Sequence, residues 1–159
     1  MDSRLHTAIE LRRQGKHQES RQALHLLVDE PQLRAQAFLQ IAWSYDNEGK
    51  ECEAEQAYLS ALNAGLEGED KFDAQFGLAS TLRCLGRYSQ ARGLFEEIIA
   101  SWPQASEVRP FYALCLHNLG EHQRAVALLL DEIAQHPSTR VAPYKEALRN
   151  YAQHPDKRW

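Results

Sequence analysis

The residues of this chain that could do chemistry are seven histidines, three cysteines, and arginines and carboxylates scattered along its length. The histidines are His6, His17, His25, His117, His122, His136 and His154. A helical zinc site needs imidazoles one turn apart on one face. No two of these stand at i, i+4, and HExxH does not occur. Nucleophilic catalysis needs an activated thiol or hydroxyl beside a base. Cys84 with His117 is the candidate, but no nearby residue marks the thiol as activated. There is no G-x-S-x-G, no P-loop and no GxGxxG. Glu96 and Glu97 are adjacent, so on a helix they point about 100° apart. They read as a solvated face and not as a paired acid and base. The expectation is a protein without catalytic residues, metal or cofactor.

Length and charge narrow the class. A chain of 159 residues suits one domain with a sizeable core. A formal charge of −4, with acids and bases interspersed, lacks the basic surface that nucleic acid or an anionic membrane requires. No apolar run nears the ~20 residues of a membrane helix. The start, "MDSRLHTAIELRRQGKH", has no signal-type apolar core. It reads as the beginning of the folded domain, in the cytoplasm. Cys52, Cys84 and Cys115 are odd in number and widely spaced, which reads as small hydrophobes in a reducing compartment.

The elements that carry these residues recur with a period. "RRQGKHQES", "DNEGKECEA", "RCLGRYSQA" and "HNLGEHQRA" align on Gly15, Gly49, Gly86 and Gly120, spaced 34, 37 and 34 apart. Seven before each glycine stand Ala8, Ala42, Ala79 and Ala113; five after it, Ser20, Ala54, Ala91 and Ala125. Four before stand Leu11, Tyr45, Leu82 and Leu116; nine after, Leu24, Tyr58, Phe95 and Leu129. Small residues let helices approach, large ones fill the space beside them, and glycine permits the positive φ that ends a helix. His17 and His122 share the column of Tyr88 and are expected to pack on the next helix. Pro103 and Pro137 close two repeats, since proline cannot continue a helix.

This pattern resembles the tetratricopeptide repeat family over residues 1 to about 139. The third repeat is nearest to the consensus, with Leu78, Ala79, Gly86, Tyr88, Ala91, Phe95 and Pro103. The first is the weakest: Arg4 and Thr7 stand where large apolar residues are usual, Ser20 replaces the alanine, and Pro31 precedes the closing position. The chain also resembles a small stand-alone bacterial tetratricopeptide family. The resemblance implies an all-α, right-handed superhelix of four helix-turn-helix repeats at about 1–34, 35–68, 72–105 and 106–139. In "NAGLEGEDK", Gly65 and Gly68 suggest a longer turn, with Glu69 and Asp70 at the next helix start. Tyr144, Leu148, Tyr151 and Ala152 lie at helical spacing, so a capping helix is expected at about 140–153, and 154–159 as a tail. One domain, 1–153, results.

In the family the first helix of each repeat lines a concave groove. Projected there, Leu5, Leu39, Phe76 and Pro110 with Ile9, Trp43, Ser80 and Leu114 form a largely apolar strip. Beside it run Arg12, Asp46, Arg83 and His117, flanked by Arg13, Asn47, Cys84 and Asn118. Two readings of the charged row stand open. Asp46 could bridge Arg12 and Arg83 in a register-fixing ladder, or the arginines could grip a ligand carboxylate while Trp43 and Phe76 hold an apolar group. The clamp by which some family members hold acidic chaperone tails is absent, because its positions hold Leu5, Ile9, Gln40, Asp73 and Gly77. The functional expectation is a scaffold binding a protein, peptide or helix. A homodimer with an unused groove, and a small-molecule sensor or enzyme using Cys84, His117 and Arg83, are the alternatives.

Overall fold

Each turn glycine ends its helix through the same pair of backbone bonds. The glycine N–H reaches the carbonyl three residues back, and the next N–H reaches the carbonyl five residues before itself. Thus Gly15 and Lys16 donate to Arg12 and Leu11, Gly49 and Lys50 to Asp46 and Tyr45, Gly86 and Arg87 to Arg83 and Leu82, and Gly120 and Glu121 to His117 and Leu116, all at 2.9–3.0 Å. The four glycines have φ of 78°, 67°, 75° and 80°, which a side chain would strain. The residues of the charged row are therefore placed by the helix end itself.

The computed structural model describes residues 2–158. Met1 and Trp159, the first and last residues of the expected domain and tail, lie outside them. Among the described residues there are nine α-helices and no strand. They are α1 (Ser3–Arg13), α2 (His17–His25), α3 (Arg34–Asp46), α4 (Glu51–Asn63), α5 (Gly68–Cys84), α6 (Tyr88–Ser101), α7 (Val108–Asn118), α8 (His122–Gln135) and α9 (Lys145–Gln153). A 3-10 turn, Ala142–Tyr144, carries Pro143 ahead of α9. The chain divides into two compact units, one ending at Arg87 and one beginning at Tyr88. The division falls inside the third repeat, so α5 closes the first unit and α6 opens the second.

In the first unit α1 packs on α2, α3 on α4 and α4 on α5, while α3 also touches α1, α2 and α5. The small columns form its seams: Ala8, Ala42, Ala79, Ser20 and Ala54 are all fully buried. Leu24 and Tyr58 fill the spaces beside them, each worth about 1.5–3 kcal/mol on burial. Ser20 replaces alanine without stranding its hydroxyl, which donates to the Ala8 carbonyl at 2.7 Å. Arg4, at the other unusual position, pairs with Asp2 and Glu30. The three extra residues before the third repeat lengthen α5 to 17 residues, with Glu69 and Asp70 in its first turn.

The second unit packs α6 on α7, α7 on α8 and α8 on α9. Phe95, Ile98, Val108, Cys115 and Leu116 fill its core. Ala152 anchors α9, but Tyr151 on that helix and Tyr144 in the turn before it, which share its helical spacing, are exposed. The segment expected as a tail is tied in part, because Gln123 donates to the Asp156 carboxylate. Leu129 departs from its column: Leu24, Tyr58 and Phe95 are buried, whereas Leu129 is 39% exposed. The helix that follows α8 packs on it without covering that position.

Candidate functional site

Arg12 leaves the last turn of α1 and reaches over α3. Its Nε donates to Gln40 Oε1 at 3.1 Å, and its guanidinium lies 5.2 Å from the centre of the Trp43 ring. Gln40 is buried, so its amide is a fixed acceptor. The arrangement combines a hydrogen bond to an uncharged amide with a cation–π contact and holds the guanidinium plane in place. Burial, then the neighbouring Arg13, lowers the Arg12 pKa below the ordinary guanidinium value. Among the described residues no carboxylate pairs with Arg12. Arg13 points outward and pairs with Glu10 at 2.8 Å.

Asp46 does not bridge Arg12 and Arg83, so the ladder, one of the two readings open for this row, does not form through it. The Tyr58 hydroxyl of α4 donates to one of its carboxylate oxygens, and Thr81 Oγ1 of α5 donates to the other at 3.3 Å. The acid thus ties α3 to the two helices that follow it. Burial raises the Asp46 pKa, and the two hydroxyl donors oppose that without reversing it. The Tyr58 pKa is raised by burial and by the Asp46 charge.

Inter-repeat ion pairs exist, but in another column. Six residues after each turn glycine stand Arg21, Glu55, Arg92 and Val126. Arg21 pairs with Glu48 and lies 4.3 Å from the Tyr45 ring. Glu55 takes Arg87 in two bonds of 2.6 Å, and Arg92 pairs with Glu121. Each reaches the turn of the following repeat. The fourth member, Val126, has no following turn and is exposed.

The other expected site residues separate. Leu39 is fully buried and belongs to the core, a correction to its place in the strip; Leu5 and Ile9 are buried with it. Trp43, Phe76 and Ser80 are half-buried, and Phe76 lies 5.9 Å from Phe72, ring to ring. Asn47 is exposed at the end of α3. The Arg83 guanidinium also meets its own neighbour, Cys84 Sγ, at 3.9 Å. His117 and Asn118 are exposed at the end of α7, in the second unit. His117 meets His122 across the Gly120 turn, Nδ1 to Nδ1 at 3.0 Å. His122 therefore does not pack on the next helix as its column suggested, whereas His17 is half-buried and its carbonyl accepts from Ser44 at 3.3 Å.

The tetratricopeptide ("Tetratrico peptide") repeat model matches residues 35–154. The chain belongs to the tetratricopeptide repeat family. The match begins after the first repeat, the one with the weakest columns. A comparison with curated proteins finds no match. Tetratricopeptide repeats generally mediate protein–protein interactions, and their fold is typically a non-enzymatic scaffold. In this tetratricopeptide chain no described helix is long and apolar enough to cross a membrane. Among the described residues no three His, Cys, Asp or Glu side chains converge as metal ligands.

Sequence reasoning missed Gln40, Tyr58, Thr81 and His122 as partners in these contacts. Gln40 carried a signal, since it shares a helical face with Trp43 at i+3. Tyr58 carried none beyond its packing column.

Proposed function

We propose that this tetratricopeptide protein is an interaction scaffold that takes a carboxylate-bearing peptide, or a helix of a partner protein, on the face built by α1, α3 and α5. The observation that carries this reading is Arg12. It is a partly desolvated guanidinium, held in plane by Gln40 and Trp43, with its remaining donors unclaimed by any described carboxylate. A guanidinium fixed in that way suits bidentate capture of a carboxylate. Trp43 and Phe76 supply apolar contact, with Arg13, Asn47, Ser80 and Arg83 around them. The cytoplasm is the compartment this reading assumes, supported by the charge balance and the spread of the cysteines.

The test is selection from a displayed random-peptide library on the wild-type chain, then titration of the enriched peptides. The reading expects peptides carrying Asp, Glu or a free C-terminus next to an apolar residue. Arg12→Ala and Trp43→Ala should each weaken binding by at least about tenfold, as interface arginines and tryptophans do. Far-UV circular dichroism should be unchanged. Enriched peptides that bind Arg12→Ala as tightly as wild type would sink the reading.

A second reading, self-association, is favoured by one observation. Leu114, Val126, Leu129 and Ile133 on α7 and α8 are all exposed. Val126 and Leu129 occupy columns that a following repeat covers elsewhere in the chain. A second copy docked on this end would cover them.

A further inference from the structure

We propose that His117 and His122 form a two-imidazole site for a late first-row divalent cation: copper(II), nickel(II) or zinc(II). Their Nδ1 atoms are 3.0 Å apart, their ring centres 4.6 Å, and the rings are tilted by 55°. Two nitrogen ligands about 2.0–2.1 Å from one metal ion stand about 3 Å apart when the angle between them is a little over 90°. Imidazole nitrogen suits these ions, and affinity rises toward copper. The turn supplies the spacing. His117 lies in the last turn of α7, His122 begins α8, and Gly120 at φ 80° between them brings their Nδ1 atoms together.

A plain N–H···N bond latching the turn would give the same distance, but the turn needs no latch. Its two backbone bonds are those of the other three turns. At the matching positions those turns carry Arg12 and His17, Asp46 and Glu51, and Arg83 and Tyr88, so the paired imidazoles are particular to the fourth.

Glu121 would be the obvious third ligand, but Arg92 and Arg124 claim its carboxylate. Both histidines are exposed and line a surface notch of about 470 Å³ with Ala113, Leu114, Ala125, Val126 and Leu129. None of those side chains offers a donor atom. The remaining coordination positions therefore belong to water or to a donor atom of whatever enters the notch. The site is a chelating pair on an open face, able to add metal-dependent affinity for a ligand there.

The experiment uses the tag-free 159-residue chain at pH 7.5, titrated calorimetrically with copper(II), nickel(II) and zinc(II) salts. Nitrogen-15 spectra of the histidine rings are followed with zinc. One equivalent of ion should bind, with the His117 and His122 Nδ1 signals shifting together. His117→Ala and His122→Ala should each lower affinity at least tenfold and leave circular dichroism unchanged. A His136→Ala, His154→Ala double variant and a Cys52→Ser, Cys84→Ser double variant should bind as wild type does. Binding retained in either single histidine variant, ring signals that shift at other histidines only, or no binding of any of the three ions would overturn the proposal.

Discussion

Asp46 shows how one residue's charge is decided by its surroundings. Its neighbours in the row are arginines, yet it spends its oxygens on Tyr58 and Thr81. Burial raises its pKa above the ordinary value of 3.8, so the folded chain holds the proton more tightly than the unfolded one. The stabilising share of that group is full below the unfolded pKa and is lost as pH rises through the higher folded value. Asp46→Asn removes this loss and still offers a side-chain oxygen to a hydroxyl donor. Its melting temperature should exceed that of wild type at pH 7, and the gap should close toward pH 3. Thermal scans at both pH values check this, and a gap independent of pH would contradict it. Arg12 is the complementary case, since with Asp46 turned away it keeps donors for a ligand.

Between elements, α4 and α5 approach so closely that Gly77 has no room for a side chain. A Cβ there would lie 2.3 Å from the Tyr58 ring. Gly77→Ala should cost about 1–3 kcal/mol, because the ring and its bond to Asp46 must shift. Gly93, within α6, has nothing within 4 Å of the same point. Gly93→Ala should therefore be neutral or gain up to about 1 kcal/mol from helix propensity. Urea unfolding of the two variants is the measurement, and equal effects would refute the packing argument. The alanine columns that bring helices together were legible in the sequence because small residues recur at fixed distances from a turn. Gly77 was not, since it appears once, and only the position of Tyr58 makes it necessary.

Across the whole molecule, the repeat period sets which surfaces are covered. Arg21, Glu55 and Arg92 each reach the next turn; Arg21 and Glu55 are buried, and all three pairs keep a partner within reach of solvent, so each adds modestly to register. At the last repeat that column holds Val126, and the core column holds Leu129 with solvent over it. If this end docks a second copy, sedimentation should show wild type shifting from monomer to dimer as concentration rises through the micromolar range. Leu129→Glu should remain monomeric throughout, because burying an unpaired carboxylate is costly. A wild-type chain that stays monomeric at every concentration removes the self-association reading. The first repeat keeps the period but departs from the family in its columns, at Arg4, Thr7 and Ser20, and the family match covers residues 35–154; Ser20 and Arg4 nonetheless satisfy their polar groups, on Ala8 and on Asp2 and Glu30.

The sequence by itself determined the all-helical repeat, the four turns and the small-residue seams. These are local: a glycine, an alanine and an aromatic at set distances produce the same turn and the same packing wherever they recur. Tertiary structure alone decided which polar group meets which. A long side chain at one end of a helix can reach several neighbours, and the choice depends on competing donors brought from other helices. Tyr58 and Thr81 claimed Asp46, so Arg12 turned to Gln40 and Trp43. Inter-repeat ion pairs formed instead six residues beyond the first three turn glycines. Leu39 went into the core because the neighbouring helices closed over it. The His117–His122 pair arose the same way: five residues apart, they meet only because Gly120 reverses the chain between them.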